Sequence, residues 1–167
     1  MCGVIGFKQL DNLHPAPEFM DFLEALMVES QIRGRHATGV AWVDSGVIQC
    51  VKAPIAAETF IADGAEEGWQ EFRAANPPAA IMHTRYSTSG DWADNTNNQP
   101  LVSGFYKLAI VHNGLVSQAT KSEFEEVYKV KCATENDSEI ILKRVVKARK
   151  DTDGLDCAIR DALDEIH

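Results

Sequence analysis

Cys2 follows Met1 directly, and this position could make it a catalytic nucleophile. Removal of Met1 would leave one residue that carries both a thiol and a free α-amine. The thiolate is the nucleophilic form of cysteine, and an α-amine titrates near pH ~7.7–8.0, so it can take up and return a proton at neutral pH. Nucleophile and general base could therefore belong to one residue. The alternative is a small apolar residue that opens a strand.

A second group of polar residues, 83–90, lies at the end of a predicted buried strand. Within it, the guanidinium of Arg85 is a planar fork of N–H donors suited to a carboxylate. Thr88 and Ser89 could add hydroxyl donors. An ordinary loop would also explain these residues, because arginine is common on surfaces and Ser and Thr often cap loops.

Two further segments each have a structural and a chemical interpretation. Asn113-Gly114 is the commonest hairpin-turn pair, but its side-chain amide and backbone N–H could also stabilise a developing oxyanion. Asp137 could simply cap a helix, or it could hold a substrate ammonium. In the chemical interpretation, Arg85 and Asp137 clamp the two charged ends of a free α-amino acid.

Size and composition favour a single globular domain. The chain has 167 residues, 45% hydrophobic and 25% charged, with a net charge of −9; it is long enough to bury a core. The negative charge argues against binding to nucleic acid or to an anionic membrane. No apolar run approaches the ~20 residues of a membrane span, and no signal peptide is expected. The expected location is cytoplasmic.

The cysteine pattern gives no sign of a structural metal site. None of the four cysteines forms a CxxC pair, so a zinc site is not expected. Disulfides are disfavoured in a reducing compartment. Cys50, Cys132 and Cys157 are therefore expected to be small packing residues.

The remaining pattern predicts strands and helices that alternate along the chain. Strands are expected at residues 1–7, 38–43, 47–52, 79–83, 107–112 and 130–132, and helices between 17 and 34 and at 65–75, 122–128, 137–150 and 155–166. In the first helix Phe19, Phe22, Leu23 and Leu26 recur at helical spacing. The polar stretch 87–100 is expected to be a loop, and long loops are more often functional. The order suggests two sheet layers covered by helices, although composition leaves other α/β or α+β arrangements open.

The ordered motifs resemble the glutaminase domain of class II glutamine amidotransferases, which are of the N-terminal-nucleophile (Ntn) type. The resemblance is strongest to the glutaminase half of glucosamine-6-phosphate synthase. In that family a CGI(V/I)G start precedes an Arg-Gly segment, HTRWATHG, HNG and a (D/N)(S/T)E helix start. In this chain the corresponding motifs, in the same order, are CGVIG, RGRHATG, HTRYSTSG, NNQP, HNG and ENDSE.

This resemblance implies a fold, a reaction and roles for individual residues. The fold would be α+β, the Ntn-hydrolase four-layer αββα sandwich, with residues 1–167 as one glutamine amidotransferase type 2 domain. L-Glutamine would be hydrolysed through a thioester on Cys2, and ammonia would pass to a synthase domain or subunit, with no metal or organic cofactor. The other implied roles are Asn113 and Gly114 for the oxyanion, Arg85 with Thr88 and Ser89 for the substrate carboxylate, Asp137 for its amine, and Arg33 for organising the loop around the nucleophile.

The chain also departs from the family pattern. The family usually has Trp and His where this chain has Tyr86 and Ser89, and its domain continues with core strands beyond the region that matches residues 155–166. A C-terminally shortened domain is therefore expected. While Met1 is attached, Cys2 has no free amine. Two alternatives remain open: a catalytically silent binding or regulatory module, and an Ntn hydrolase that acts on a different amide.

Overall fold

The structure is a computed structural model that describes residues 1–10, 16–62, 67–104, 107–116, 121–152 and 154–164. The strands in these residues are β1 (Gly3–Lys8), β2 (Ala37–Asp44), β3 (Val47–Ala53), β4 (Ala79–Arg85), β5 (Leu101–Ser103) and β6 (Leu108–Ile110). The α-helices are α1 (Pro17–Ser30), α2 (Ala57–Ile61), α3 (Glu67–Ala75), α4 (Lys121–Tyr128), α5 (Glu139–Asp151) and α6 (Leu155–Asp164), with 3₁₀ turns at Gln31–Arg33 and Asn95–Asn97. Within these ranges no helix is long and apolar enough to cross a membrane.

The larger sheet is antiparallel and has the strand order β1-β4-β2-β3. β2 and β3 form the predicted hairpin, whose turn residues Ser45 and Gly46 have φ values of 50° and 76°. Two consecutive positive φ values suit a tight turn that follows the twist of the strands. β4 lies between β1 and β2, so the N-terminal strand is paired along its whole length with the strand that ends at Arg85.

One face of this sheet packs against α1, α2 and α3. Side chains alternate along a strand, and those on this face join one apolar cluster with the helices. Its fully buried members include Val40 and Met82 from the sheet and Met27, Trp69 and Phe72 from the helices.

The opposite face of the large sheet meets a second layer. β5 and β6 pair as a small antiparallel sheet, and α5 packs on β5 and β6 and also against α6. The segment that leads into β5 approaches β2 so closely that a Cβ at Gly39 would lie 2.3 Å from the carbonyl oxygen of Gln99. The layer order is helix, sheet, sheet, helix, which confirms the predicted α+β fold class.

Several elements differ from the expectation. Residues 130–132 form no strand, and neither α2 nor β5 was expected from the sequence pattern. In α1, Phe22 and Leu26 are 56% and 36% exposed. The buried side of this helix instead carries Met20, Leu23 and Met27. The expected helix positions 65 and 66 in front of α3, and 165 and 166 after α6, lie outside the described residues.

Candidate active site

The pairing of β1 with β4 decides where Cys2 lies. Gly3 pairs with Thr84, so Cys2, which precedes the strand, comes next to the loop that leaves β4. The backbone N–H of Tyr86 lies 3.4 Å from Cys2 Sγ, and the carbonyl oxygen of Tyr86 lies 3.5 Å from the same sulfur. The sulfur is therefore directed at the HTRYSTSG loop.

The backbone of Cys2 is held on both sides by predicted site residues. Its N–H donates to Asn113 Oδ1 at 3.1 Å, and its carbonyl oxygen accepts from Arg33 Nε at 2.9 Å. Because a backbone N–H can only donate, Oδ1 of Asn113 is the acceptor here and Nδ2 is the donor end of the amide. Met1, attached to this nitrogen, is 74% exposed.

Arg85 ends β4 and is almost fully buried, with 2% of its surface exposed. Its Nη1 donates to Asn98 Oδ1 at 2.6 Å, and its Nη2 donates to the carbonyl oxygens of Ser89 and Gly90. Burial lowers the pKa of the guanidinium, and the nearby Cys2 and Asp137 act in the opposite direction. The fork of donors is thus aimed at oxygen atoms, but all of those oxygens belong to the protein.

Asp137 is connected to Arg85 through a single residue. Ser89 Oγ donates to Asp137 Oδ1 at 3.0 Å, and the N–H of Val116 donates to Asp137 Oδ2 at 2.8 Å. Since the carbonyl oxygen of the same Ser89 accepts from Arg85, Ser89 spans the two residues predicted to form the clamp. Thr88 is exposed. The structure thus brings Arg85, Ser89 and Asp137 together, although their predicted substrate contacts remain a prediction.

An aromatic stack supports the loop next to Cys2. The imidazole of His36 stacks on Tyr86 and on Trp92, with ring centroids 5.0 Å and 5.4 Å apart. His36 Nδ1 also accepts from the N–H of Ser87 at 3.0 Å. The stack therefore holds Tyr86 in place beside Cys2.

The NNQP segment contains three amide side chains to which the sequence pattern assigned no role. Asn97, Asn98 and Gln99 are all buried, and Asn98 is the residue that contacts Arg85. The signal available was three consecutive amides before a proline in a polar loop. No group of three or more His, Cys, Asp or Glu side chains that could hold a metal occurs among the residues described.

Two solved structures have a fold similar to that of this chain. Glutamine phosphoribosylpyrophosphate amidotransferase from B. subtilis, solved with ADP and GMP, superposes with a TM-score of 0.68 at 22% identity and covers 97% of this chain and 32% of its own. An allosteric regulatory enzyme of purine biosynthesis superposes with a TM-score of 0.61 at 17% identity, with the same coverage. The chain therefore shares its fold with these two solved structures.

Curated relatives identify the kind of protein that the sequence resembles. Glutamine–fructose-6-phosphate aminotransferase (isomerizing) from Staphylococcus aureus is 28% identical over 147 residues, which are 87% of this chain and 22% of that protein. The enzyme from Staphylococcus epidermidis matches with the same identity and coverage. The chain thus spans about a fifth of the length of these relatives. No family model matches the sequence. The comparisons confirm the predicted resemblance to class II glutamine amidotransferases.

Proposed function

We propose that residues 1–167 form a glutamine amidotransferase type 2 domain, an enzyme that hydrolyses the side-chain amide of L-glutamine to glutamate and ammonia. The observation that carries this proposal is the bond from the Cys2 nitrogen to Asn113 Oδ1 at 3.1 Å. It joins the candidate nucleophile and base to the candidate oxyanion group. The similarity to a glutamine-dependent aminotransferase and to a glutamine amidotransferase supports the same reaction.

The proposed reaction begins once Met1 has been removed. The Cys2 nitrogen is then an α-amine, and it takes the proton from its own thiol as the sulfur attacks the γ-carbonyl carbon of glutamine. The carbonyl oxygen becomes an oxyanion, stabilised by Asn113 Nδ2 and the Gly114 N–H. Collapse of this intermediate breaks the carbon–nitrogen bond, and the amine returns its proton to the leaving ammonia. Water then hydrolyses the γ-glutamyl thioester and regenerates the thiol.

The proposed clamp binds the α-amino acid end of glutamine. Arg85 would receive the α-carboxylate and Asp137 the α-ammonium, with Thr88 and Ser89 beside them. In the structure, the carbonyl oxygen of Ser89 accepts from the Arg85 guanidinium and its hydroxyl donates to the Asp137 carboxylate. Those two contacts are of the same kind as a carboxylate oxygen and an ammonium would make. Glutamine binding therefore requires the Ser89 loop to move, and the loop contacts are replaced by equivalent contacts to substrate.

The fate of the ammonia and the location belong to the same proposal. Ammonia released at Cys2 would pass to an acceptor site on another domain or subunit, as the aminotransferase relatives suggest. No metal or organic cofactor is required for the steps above. A cytoplasmic location fits free thiols at Cys2, Cys50, Cys132 and Cys157.

The decisive experiment measures turnover and the site of covalent labelling together. Protein without Met1 is incubated with glutamine, and glutamate release is measured against Cys2→Ala and, as a matched control, Cys157→Ala. A glutamine-analogue electrophile should add one equivalent of mass at Cys2. We expect turnover and labelling in the wild type and in Cys157→Ala, and neither in Cys2→Ala. Glutamate release that persists in Cys2→Ala would contradict the proposal.

A second candidate function is a catalytically silent amino-acid-binding module. It is favoured by one observation, namely that Ser89 already satisfies both Arg85 and Asp137. Calorimetric titration of glutamine into the protein distinguishes the two. Glutamine that binds to wild type without glutamate release, even after Met1 removal, would favour the binding module.

A further inference from the structure

The NNQP loop has a fixed backbone. Lys52 Nζ donates to the carbonyl oxygens of Asn98 and Pro100 at 2.5 Å and 3.3 Å, and Asn95 Nδ2 donates to the carbonyl oxygen of Lys52 at 2.6 Å. The loop is thus tied to β3 at several points. Gln99, which lies within this fixed stretch, is 4% exposed. The backbone that carries the Gln99 side chain is therefore held in place by hydrogen bonds.

Gln99 closes a ring of hydrogen bonds with His112 and Ser138. Gln99 Oε1 accepts from the backbone N–H of His112 at 2.6 Å, and Gln99 Nε2 donates to Ser138 Oγ at 3.2 Å. Ser138 Oγ in turn lies 3.0 Å from His112 Nδ1. Ser138 is 1% exposed, so its hydroxyl is removed from solvent.

The directions of the two bonds made by the Gln99 amide follow from the backbone donor. The N–H of His112 can only donate, so it must face Oε1, and Nε2 of Gln99 must face Ser138. The Ser138 oxygen accepts that bond and keeps its own proton available to donate to His112 Nδ1. When the hydroxyl donates in this way, Nδ1 of His112 is the acceptor. In the neutral imidazole, the proton lies on Nε2.

The imidazole held in this way lies directly against the candidate oxyanion residue. A Cβ at Gly114 would come within 2.5 Å of His112 Nε2 and 2.9 Å of His112 Cε1. The position of the ring thus limits the position of Gly114. At the other end of the same loop, the N–H of Val116 is held by Asp137. Between these anchors, Asn113 and Gly114 are exposed and belong to no helix or strand.

We propose that Gln99 is a positioning residue that sets the oxyanion loop through His112 and Ser138. It does not touch the substrate. It fixes the orientation of the His112 ring, and the ring fixes the Gly114 N–H relative to Cys2. The effect on catalysis rests on the glutaminase function proposed above, whereas the hydrogen-bond ring is independent of it. A misplacement of about 1 Å can cost about 100-fold in rate.

The kinetic test compares the same substitution at two buried glutamines. Gln99→Met removes the two bonds that Gln99 makes in the ring, whereas Gln31→Met removes a similar pair of bonds to Glu58. We expect kcat for glutamine hydrolysis to fall about 10-fold or more in Gln99→Met, with KM changed less than about 2-fold, because the oxyanion forms only near the transition state. Gln31→Met should keep the wild-type kcat. Equal values of kcat in the two variants would overturn the proposal.

The second test observes the ring directly and does not depend on turnover. In ¹⁵N-histidine-labelled protein, with the signals assigned by a His112→Gln variant, we expect protonated Nε2 and unprotonated Nδ1 for His112. Gln99→Met and Ser138→Ala should each shift His112 towards a mixture of tautomers. A wild-type His112 with its proton on Nδ1 would overturn the inference. Failure of the wild type to hydrolyse glutamine would instead count against the proposed function, and this spectrum would still test the ring.

Because Gln99 is buried, its variant could fail to fold, and Ser138→Ala serves as the second variant. Removal of the Ser138 hydroxyl leaves the bond from the His112 N–H to Gln99 in place. We expect its kcat to fall in the same direction as that of Gln99→Met, and the double variant to be no worse than the more impaired single variant, since both act through one ring. Fully additive losses would count against a shared ring.

Discussion

The backbone nitrogen of Cys2 and the side-chain oxygen of Asn113 are 3.1 Å apart, although 111 residues separate them in the sequence. Each residue alone has an ordinary structural explanation, one as a strand residue and the other as a turn residue. Their contact makes the chemical explanation stronger, because a base and an oxyanion donor must lie on either side of one reacting carbonyl.

Asn113→Ala should reduce kcat for glutamine hydrolysis by about 100- to 1,000-fold and leave KM nearly unchanged, because one preorganised oxyanion donor is lost. Steady-state glutamate release measures both constants. Leu115→Ala is the matched control, since Leu115 is 67% exposed on the same loop. A comparable loss in Leu115→Ala would assign the effect to loop disruption.

Arg85→Lys should mainly raise KM, by about 10-fold or more, because an ammonium cannot reproduce the bidentate guanidinium contact with a carboxylate. The bond to Asn98 would also be weakened, so thermal unfolding of the variant must be checked at the assay temperature. Arg160→Lys, an exposed position on α6, serves as the control. A fall in kcat alone would contradict the proposed carboxylate contact.

Ser89→Ala should lower KM for glutamine by about 2- to 5-fold, since removing one ordinary hydrogen bond is worth about 1 kcal/mol. The physical reason is that its hydroxyl competes with the substrate ammonium for Asp137. Ser87→Ala is a suitable comparison, because its hydroxyl bonds to the carbonyl oxygen of Gly90. A higher KM in Ser89→Ala would show instead that the hydroxyl contacts bound glutamine.

His83 should make the protein less stable at mildly acidic pH. Burial, with a contribution from the Arg85 guanidinium, lowers the pKa of His83 from 6.5 to about 4. As the pH falls from 7 to 5, the unfolded chain takes up this proton and the folded chain does not, so the free energy of unfolding should decrease by about 2 kcal/mol. Urea unfolding at both pH values measures it.

The control for that experiment is His83→Leu, which cannot titrate. Its free energy of unfolding should change less between pH 7 and pH 5 than that of the wild type, whatever its absolute stability. Equal pH dependence of the two proteins would show that another group is responsible.

The parts of the fold that follow from short-range patterns could be predicted from sequence. The β2–β3 hairpin is an example, since Asp44, Ser45 and Gly46 provide the turn chemistry locally. The buried side of α1 could not be predicted, because Phe22 and Leu26 are as apolar as the residues that are buried. Which side of α1 faces the sheet depends on where α2 and α3 pack. The first residue of α2 could not be predicted from sequence, because this helix has no side-chain cap.

The candidate site likewise has a part that could be predicted from sequence and a part that could not. Residue types and motif order were enough to single out Cys2, Arg85, Asn113 and Asp137. The role of Ser89 as a link between Arg85 and Asp137 is a three-dimensional relationship, and no spacing rule predicts it. The ring around Gln99 was missed for the same reason, since it joins residues 99, 112 and 138 from three segments.

The register of β1 against β4 has a practical consequence for preparing the protein. The pairing fixes Gly3 opposite Thr84. Each residue of a strand advances the chain by about 3.3 Å, and successive side chains lie on opposite sides of the sheet. An extra residue inserted between Cys2 and Gly3 would therefore carry the thiol away from Tyr86 and Asn113. Affinity tags and protease-cleavage scars consequently belong at the carboxyl end, and even a one-residue scar ahead of the cysteine would block the amine that the assay requires.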